Sequence, residues 1–383
     1  MSAPFAVYAH VPWCRHVCPY CDFNVYASAR PPEQAYVDAL VAELSTYATR
    51  APWAGRMAAT VYLGGGTPSM FSPAAIGRLL DAIAARVGIA ADAEVTLEAN
   101  PGTLTREHLV GYQTAGVNRL SLGAQTFDAA RLRTLGRDHA PEDIPAAVEA
   151  ARAAGIDNVS LDLISAVPGS TLADWEHDLS AAIGLAPAHV SAYALTFESG
   201  TPFHAWRGAG RIHAVDEDVE VAMAEATGAL LGAAGYARYE ISSWARPGRE
   251  SRHNLAYWSG VDYLALGAGA HGFSAEPAPG RRWVNERRPE RWAAAVTATG
   301  TGAASVETLD PATARAEFMV AGLRRTAGVE PAAFARRFGV ALETAFPHVA
   351  GLVADGLLEH AGARLRLTPR GLLFADTVAA TFV

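Results

Sequence analysis

Lysine is missing altogether from this chain of 383 residues, and arginine alone carries its fixed positive charge. Schiff-base catalysis and a phosphate-binding P-loop each need a lysine, so both are excluded. Cysteine is nearly as scarce: the three thiols, Cys14, Cys18 and Cys21, all fall in the stretch PWCRHVCPYCDFNVYA. An odd number crowded into one segment makes no disulfide framework and suits metal or redox chemistry in a reducing compartment, here the cytoplasm. No apolar run is long enough to span a bilayer. The opening MSAPFAVYAHVPW lacks the basic-then-apolar order of a signal peptide and is expected to begin the first strand. A net charge of −8 offers no basic face for nucleic acid.

What is present is a rhythm. Short apolar runs rich in β-branched residues alternate with Ala-rich helical patterns, which predicts an α/β fold of βα units around a parallel sheet. Six strands are expected: FAVYAHV, ATVYLGG, AEVTLEA, NRLSLGAQ, NVSLDLIS and HVSAYALT. A last core helix is expected in DEDVEVAMAEATGALLGAAG, followed by a loop-rich stretch where Pro, Gly and Arg concentrate. From about Ser305 the pattern turns to short helices and then the alternating LLEHAGARLRLT, a helical module with a β-hairpin that resembles a winged helix. Its eight Arg balance eight Asp plus Glu, so it makes a poor phosphate reader. The expected organisation is a core over 1–235, a connecting segment over 236–304 and a C-terminal module over 305–383.

Glu98, Gln125 and Asp162 are lone polar residues toward the carboxyl ends of otherwise apolar strands, where parallel sheets and barrels build their sites. Helix capping is the bland alternative for each one, but three at equivalent strand ends point to a shared site. The thiols allow two readings. Zinc would need a fourth ligand, for which His10 or His16 is available, but no second CxxC or HxxxH pair accompanies it. A cubane iron-sulfur cluster normally takes four thiolates, so three leave one iron open to a ligand. Gly64, Gly65 and Gly66 follow a strand directly and would let a ligand approach the backbone. GAGAHG, Gly267 to Gly272, matches a dinucleotide fingerprint in spelling, but FSAEPAPG follows it and breaks any helix.

CRHVCPYC after a first strand resembles the CxxxCxxC signature of the radical S-adenosylmethionine proteins. The resemblance implies a [4Fe-4S] cluster on Cys14, Cys18 and Cys21, with the nucleotide's methionyl group on the fourth iron. LEANPG, GVNRLSLGAQTFD, LGRDH, DLISAVPGST and HVSAYALTFESGTP extend the likeness to the oxygen-independent coproporphyrinogen III oxidases and their relatives. By matching motif, Tyr8, Gly65, Gly66, Thr67, Glu98, Gln125, Arg137 and Asp162 would line the nucleotide site, with Tyr20 beside the adenine. The fold this implies is a partial (β/α)6 radical-SAM barrel.

Two departures separate the chain from the oxidases. Phe23 stands where they carry a further cysteine, and the cysteines come almost at once, without the oxidases' N-terminal extension. SRHNLAYW is similar instead to the HNxxYW motif of HemW-type haem chaperones. That resemblance implies His253 as a ligand to haem iron, Asn254 orienting it, and Tyr257 and Trp258 against the porphyrin face. Arg246, Arg249 and Arg252 would suit the propionates. The expected function is therefore a haem chaperone that passes haem to acceptor proteins, with respiratory enzymes as candidates. The alternative is an oxygen-independent coproporphyrinogen III oxidase, with a zinc-bound structural protein behind both.

Overall fold

The computed structural model describes residues 5–383. Strands β1 (Phe5–Val11), β2 (Ala58–Gly65), β3 (Ile89–Ala99), β4 (Arg119–Gln125), β5 (Asn158–Ser165) and β6 (His189–Ala194) pair in parallel and in chain order. Helices cross between them, as parallel neighbours require. Their starts are set by side-chain caps: Ser72 accepts from Ala75, Thr105 from His108, and Thr171 with Asp174 forms a capping box. Caps of this kind are each worth about 1 kcal/mol. Together these units form the partial (β/α)6 barrel.

The sheet does not stop at six strands. A seventh parallel strand, β9 (Tyr263–Leu266), joins the free side of β1, and β10 (His271–Ser274), β11 (Arg281–Asn285) and β12 (Ala303–Thr308) extend it antiparallel. At the opposite edge, β8 (Ser243–Ala245) and β7 (Ala237–Glu240) add antiparallel to β6. The result is an open sheet of 12 strands in the order β12-β11-β10-β9-β1-β2-β3-β4-β5-β6-β8-β7. The stretch expected to be loop-rich is thus largely strand, with a helix at Arg252–Trp258. Strands of three to six residues broken by Gly and Pro show too little period-two alternation to be read from sequence. Pairing with β1 and β6 supplies what their local sequence does not.

One buried cluster, running from Phe5 through Leu97 and Leu161 to Trp292, fills the space between sheet and helices. The C-terminal module has its own core around Met319, Phe334, Leu365 and Val378. Its helix Pro311–Leu323 packs near the Arg252–Trp258 helix. Polar ties also dock it: Arg282 of β11 pairs with Glu317, and Glu240 of β7 lies 3.8 Å from Arg324. Among the described residues no helix is long and apolar enough to cross a membrane.

Candidate functional site

The loop carrying the thiols leaves β1 at the carboxyl edge of the sheet and is clamped on two sides. On one side, the Gly136 carbonyl accepts from His16 and lies 3.7 Å from the Cys18 sulfur, while Phe203 donates its N–H to the Pro19 carbonyl at 3.0 Å. On the other, the Asn24 amide donates to the carbonyls of Ala268 and Arg287 at 3.1 and 2.9 Å. Gly269, at φ +74°, is the only residue type that fits there, since a Cβ would collide with the Asn24 side chain. The GAGAHG turn is therefore a rest for the cysteine loop, running from β9 into β10 with no helix at its end.

All three cysteines are unpaired and partly exposed. Burial raises the Cys14 thiol, against the Thr67 hydroxyl that donates to its sulfur at 3.4 Å, and raises Cys21 to about 11. His10 and His16, the candidate fourth zinc ligands, are both engaged: His10 with the Tyr8 hydroxyl and the Asn24 carbonyl, each at 2.9 Å, and His16 with Gly136. Among the described residues no three metal-ligating side chains close on a single ion. A cubane cluster places its own iron and sulfide atoms between the thiolates, so its ligands stand farther apart than those of one ion.

Beside the thiols lies a cavity of about 870 Å³ bordered by Cys14, Cys18, Cys21 and Tyr20 on the loop and by Gly65, Gly66, Thr67, Glu98, Gln125, Arg137 and Asp162 at strand ends. Alternate residues of β2, β3, β4 and β5 point to one face of the sheet, so residues far apart in sequence converge here. Glu98 accepts from the Tyr62 hydroxyl at 2.7 Å and from the Gly65 N–H at 2.9 Å. Burial lifts its carboxyl to about 7, against the pull of those two donors. Asp162 accepts from Ser121 at 2.9 Å and from Ser160 at 3.4 Å, and burial raises it too. Gly65, at φ +118°, carries no Cβ because one would sit 2.5 Å from the His10 ring.

Gln125 and Arg137 show that the cavity is built for something. Gln125 ends β4 at φ +65°, in the left-handed region, at a register shift between β4 and β5. A non-glycine residue held there costs about 1–3 kcal/mol. Its Oε1 and the Nε of Arg137 are buried without a hydrogen-bond partner among the described residues. Arg137 otherwise reaches the Gly123 carbonyl at 3.0 Å and the Cys18 sulfur at 3.9 Å. A polar ligand in this cavity would satisfy both orphaned atoms.

The helix Arg252–Trp258 lies against the inner face of the sheet, close to β1 and β2. Its first turn is fixed by Glu94 of β3, which accepts from the N–H groups of Arg252 and His253 at 3.1 and 3.0 Å. A second cavity, about 1280 Å³, opens between this helix, β10, β11 and the C-terminal module, and His253, Asn254, Tyr257 and Trp258 all border it. Tyr62, Gly65, Glu98, Asn254 and Trp258 border both cavities. Asp22 and Phe23 of the cysteine loop do so as well, with Phe23 66% exposed.

Three expectations need correction. His253 is not an open ligand: its ring is fully buried, with Nδ1 2.8 Å from the Thr60 hydroxyl and Nε2 2.8 Å from the Tyr257 hydroxyl. Burial, and then Arg119, lower it to about 3, so the imidazole is neutral. Arg246, Arg249 and Arg252 border neither cavity. Arg246 lies over the Tyr236 ring at 4.7 Å and Arg252 pairs with Asp92 at 3.5 Å, both toward the amino ends of the strands. Tyr8 borders the larger cavity and not the one with the thiols; Tyr62, stacked 6.1 Å from it on the neighbouring strand, takes the shared position.

Sequence reading also missed Tyr62, Ser121, Ser191 and Tyr193, which border the smaller cavity. Polar residues at two-residue spacing were the signal: Thr60 and Tyr62 in β2, Arg119 and Ser121 in β4, His189 and Ser191 in β6. The larger cavity's His271, Arg325, Arg337 and Arg364 were missed as well, because their elements do not announce themselves locally.

Residues 8–182 match the model of the Radical SAM superfamily and residues 309–374 match the HemN C-terminal domain. The chain is 36% identical to the heme chaperone HemW of Bacillus subtilis over 99% of both chains. It is 39% identical to the heme chaperone HemW of Mycobacterium tuberculosis over 99% of this chain and 95% of that one. Its fold is similar to that of the solved Escherichia coli coproporphyrinogen III oxidase HemN, with a TM-score of 0.84 at 23% identity, covering 99% of this chain and 90% of that one. With relatives this similar along nearly their whole length, the chain belongs to the HemW family of haem chaperones within the radical SAM superfamily.

Proposed function

We propose that this chain takes up haem, holds it beside an iron-sulfur cluster and nucleotide, and passes it to acceptor proteins in the cytoplasm, with respiratory enzymes as candidate acceptors. The observation that carries this reading is the wall shared by the two cavities, which sets the HNxxYW residues Asn254 and Trp258 against the nucleotide-site residues Tyr62 and Glu98. Cys14, Cys18 and Cys21 would hold the [4Fe-4S] cluster. Gly65, Gly66, Thr67, Glu98, Gln125, Arg137 and Asp162 would hold S-adenosylmethionine, with Tyr20 beside its adenine. When bound, the cluster supplies a one-electron reductant and the nucleotide a sulfonium that accepts the electron.

The chain's own residues do the positioning. Glu98 and Asp162 present acceptors to amine and hydroxyl groups, and the open polar atoms of Gln125 and Arg137 await partners. The lining of the larger cavity suits haem. Tyr257, Trp258, Tyr263 and Phe273 give it flat apolar walls. Arg325, Arg337 and Arg364 border it from the C-terminal module, and among the described residues none of them stands within ion-pair distance of a carboxylate, although the charges of Asp262, Glu276 and Glu317 reach Arg337. Guanidinium groups not closed into ion pairs suit propionates.

Porphyrinogen oxidation is the weaker reading, because the oxidase likeness rests on a fold at 23% identity while the chaperone likeness is a sequence match at 36–39%. One experiment tests the proposal. Anaerobically reconstituted protein should bind about four irons per chain, bind haemin, and pass it to an apo-haemoprotein. Conversion of coproporphyrinogen III in the presence of nucleotide and reductant, or failure to bind haemin, would overturn it.

A further inference from the structure

Three imidazoles border the larger cavity: His10, His253 and His271. Both ring nitrogens of His10 are hydrogen bonded, to Tyr8 and Asn24, and both of His253, to Thr60 and Tyr257. His271 differs. It is exposed into the cavity from β10, and its ring makes no hydrogen bond among the described residues. Among the described residues no cysteine or methionine borders this cavity, so none of them offers a competing sulfur ligand for iron.

The position is rigid. His271 is the histidine of GAGAHG and comes directly after its turn, Gly267 to Ala270, which Asn24 clamps to the cysteine loop and which Glu43 holds from below through the Gly267 N–H at 2.9 Å. β10 pairs with β11, His271 opposite Val284 and Phe273 opposite Arg282, and cross-strand partners share a face. His271, Phe273, Arg282 and Val284 therefore form one patch of cavity wall. Gly272 between them faces the other way, where an added Cβ would collide with the Trp283 ring. Burial, followed by the charges of Arg287 and Arg282, lowers the His271 imidazole, which favours the neutral form a metal requires.

We propose that His271, and not His253, supplies the imidazole nitrogen that binds the iron of haem seated in this cavity. The bond is a lone-pair donation from neutral imidazole to iron, with nothing oxidised or reduced. His253 then acts at one remove, as a buried strut that fixes the Tyr257 ring through its Nε2. The inference rests on the haem-binding reading above and adds to it the identity of the ligand.

Haemin titration of the full chain, read by the Soret band and by electron paramagnetic resonance, tests it. The parent protein should show a nitrogen-ligated haem. His271→Ala, a change at an exposed side chain that should leave the melting temperature in place, should lose that signature and weaken haemin binding about tenfold or more. Added imidazole should restore the signature by filling the vacated space. His253→Gln should keep nitrogen ligation. An unchanged spectrum in His271→Ala, or loss of the signature in His253→Gln alone, would overturn the assignment while leaving haem binding intact. A parent protein that binds no haemin would defeat the functional reading itself, and this assignment with it.

Discussion

The imidazole of His253 stacks on the ring of Tyr62, centroids 4.9 Å apart and planes 30° from parallel. Tyr62 in turn donates its hydroxyl to Glu98 at 2.7 Å. Two rings and one hydrogen bond thus join the HNxxYW helix to the cavity beside the thiols. The ring and the hydroxyl of Tyr62 serve different neighbours, so the two contributions can be separated by substitution.

Tyr62→Phe keeps the stacking and removes the donor. Hydrogen bonds to charged groups contribute about 1.5–3 kcal/mol, so S-adenosylmethionine binding, measured by calorimetry, should weaken about tenfold or more. Haemin affinity should stay within about twofold. Loss of haemin binding with nucleotide binding preserved would contradict the division drawn here.

Substituting Cys14, Cys18 or Cys21 singly with Ala should each abolish a stable cluster, seen as loss of iron and of its charge-transfer absorption after reconstitution. His10→Ala and His16→Ala should leave iron content at the parent level, since both rings are committed to neighbouring groups. A fall in iron in either histidine variant would reopen the ligand set.

His253 gives a pH signature. Its folded value, about 3, lies below the ordinary 6.5 because of burial and Arg119. The unfolded chain therefore takes up a proton on this ring before the folded chain does, and its contribution is full above pH 6.5 and lost as pH falls toward 3. Glu43 and Glu98, each lifted to about 7 by burial, slope the opposite way, losing their contribution as pH rises from 4.5 to about 7. The useful quantity is the difference between parent and His253→Gln in urea unfolding. It should shrink as pH falls from 7 to 4; a constant difference would mean that the His253 ring takes up its proton alike in the folded and the unfolded chain.

Glu43 is buried and accepts four hydrogen bonds, from the N–H groups of Gly267 and Gly302, the Trp292 indole and the Asn285 amide. All four partners are donors, so an acceptor-only carboxylate fits and an amide does not. Measured above pH 7, where the carboxyl is ionised, Glu43→Gln turns one oxygen into a donor facing donors, and should destabilise the chain by about 1–3 kcal/mol. The arginine trio has its own test: Arg337→Glu should weaken haemin binding and leave haemin dimethyl ester, which has no propionate charge, nearly unaffected.

Much of this was legible in the sequence for a physical reason. Six strands buried on both faces read as apolar runs, and a polar residue near the carboxyl end, such as Glu98 or Gln125, stands out against them. The cysteine spacing is local, so it reads directly. The place of His253 is not local. Its hydrogen-bond partner Thr60 lies 193 positions away, and nothing in SRHNLAYW shows that the helix lies against the sheet. His271 was hidden differently, since GAGAHG resembles a nucleotide motif while its glycines serve the packing against Asn24 and Trp283. Arg246, Arg249 and Arg252 looked suitable because they are near the motif in sequence, but β8 and the start of the motif helix leave them toward the opposite end of the strands.

The wall shared by the two cavities has a thermodynamic meaning. If the two cavities take the occupants proposed above, both would press on the same side chains, and linkage makes any coupling between them reciprocal: whatever factor the nucleotide imposes on haem, haem imposes on the nucleotide. Tyr62, Glu98, Asn254 and Trp258 are among the shared residues through which that factor would act, with Asp22, Phe23 and Arg324. A titration of either cavity would then report on the occupancy of the other.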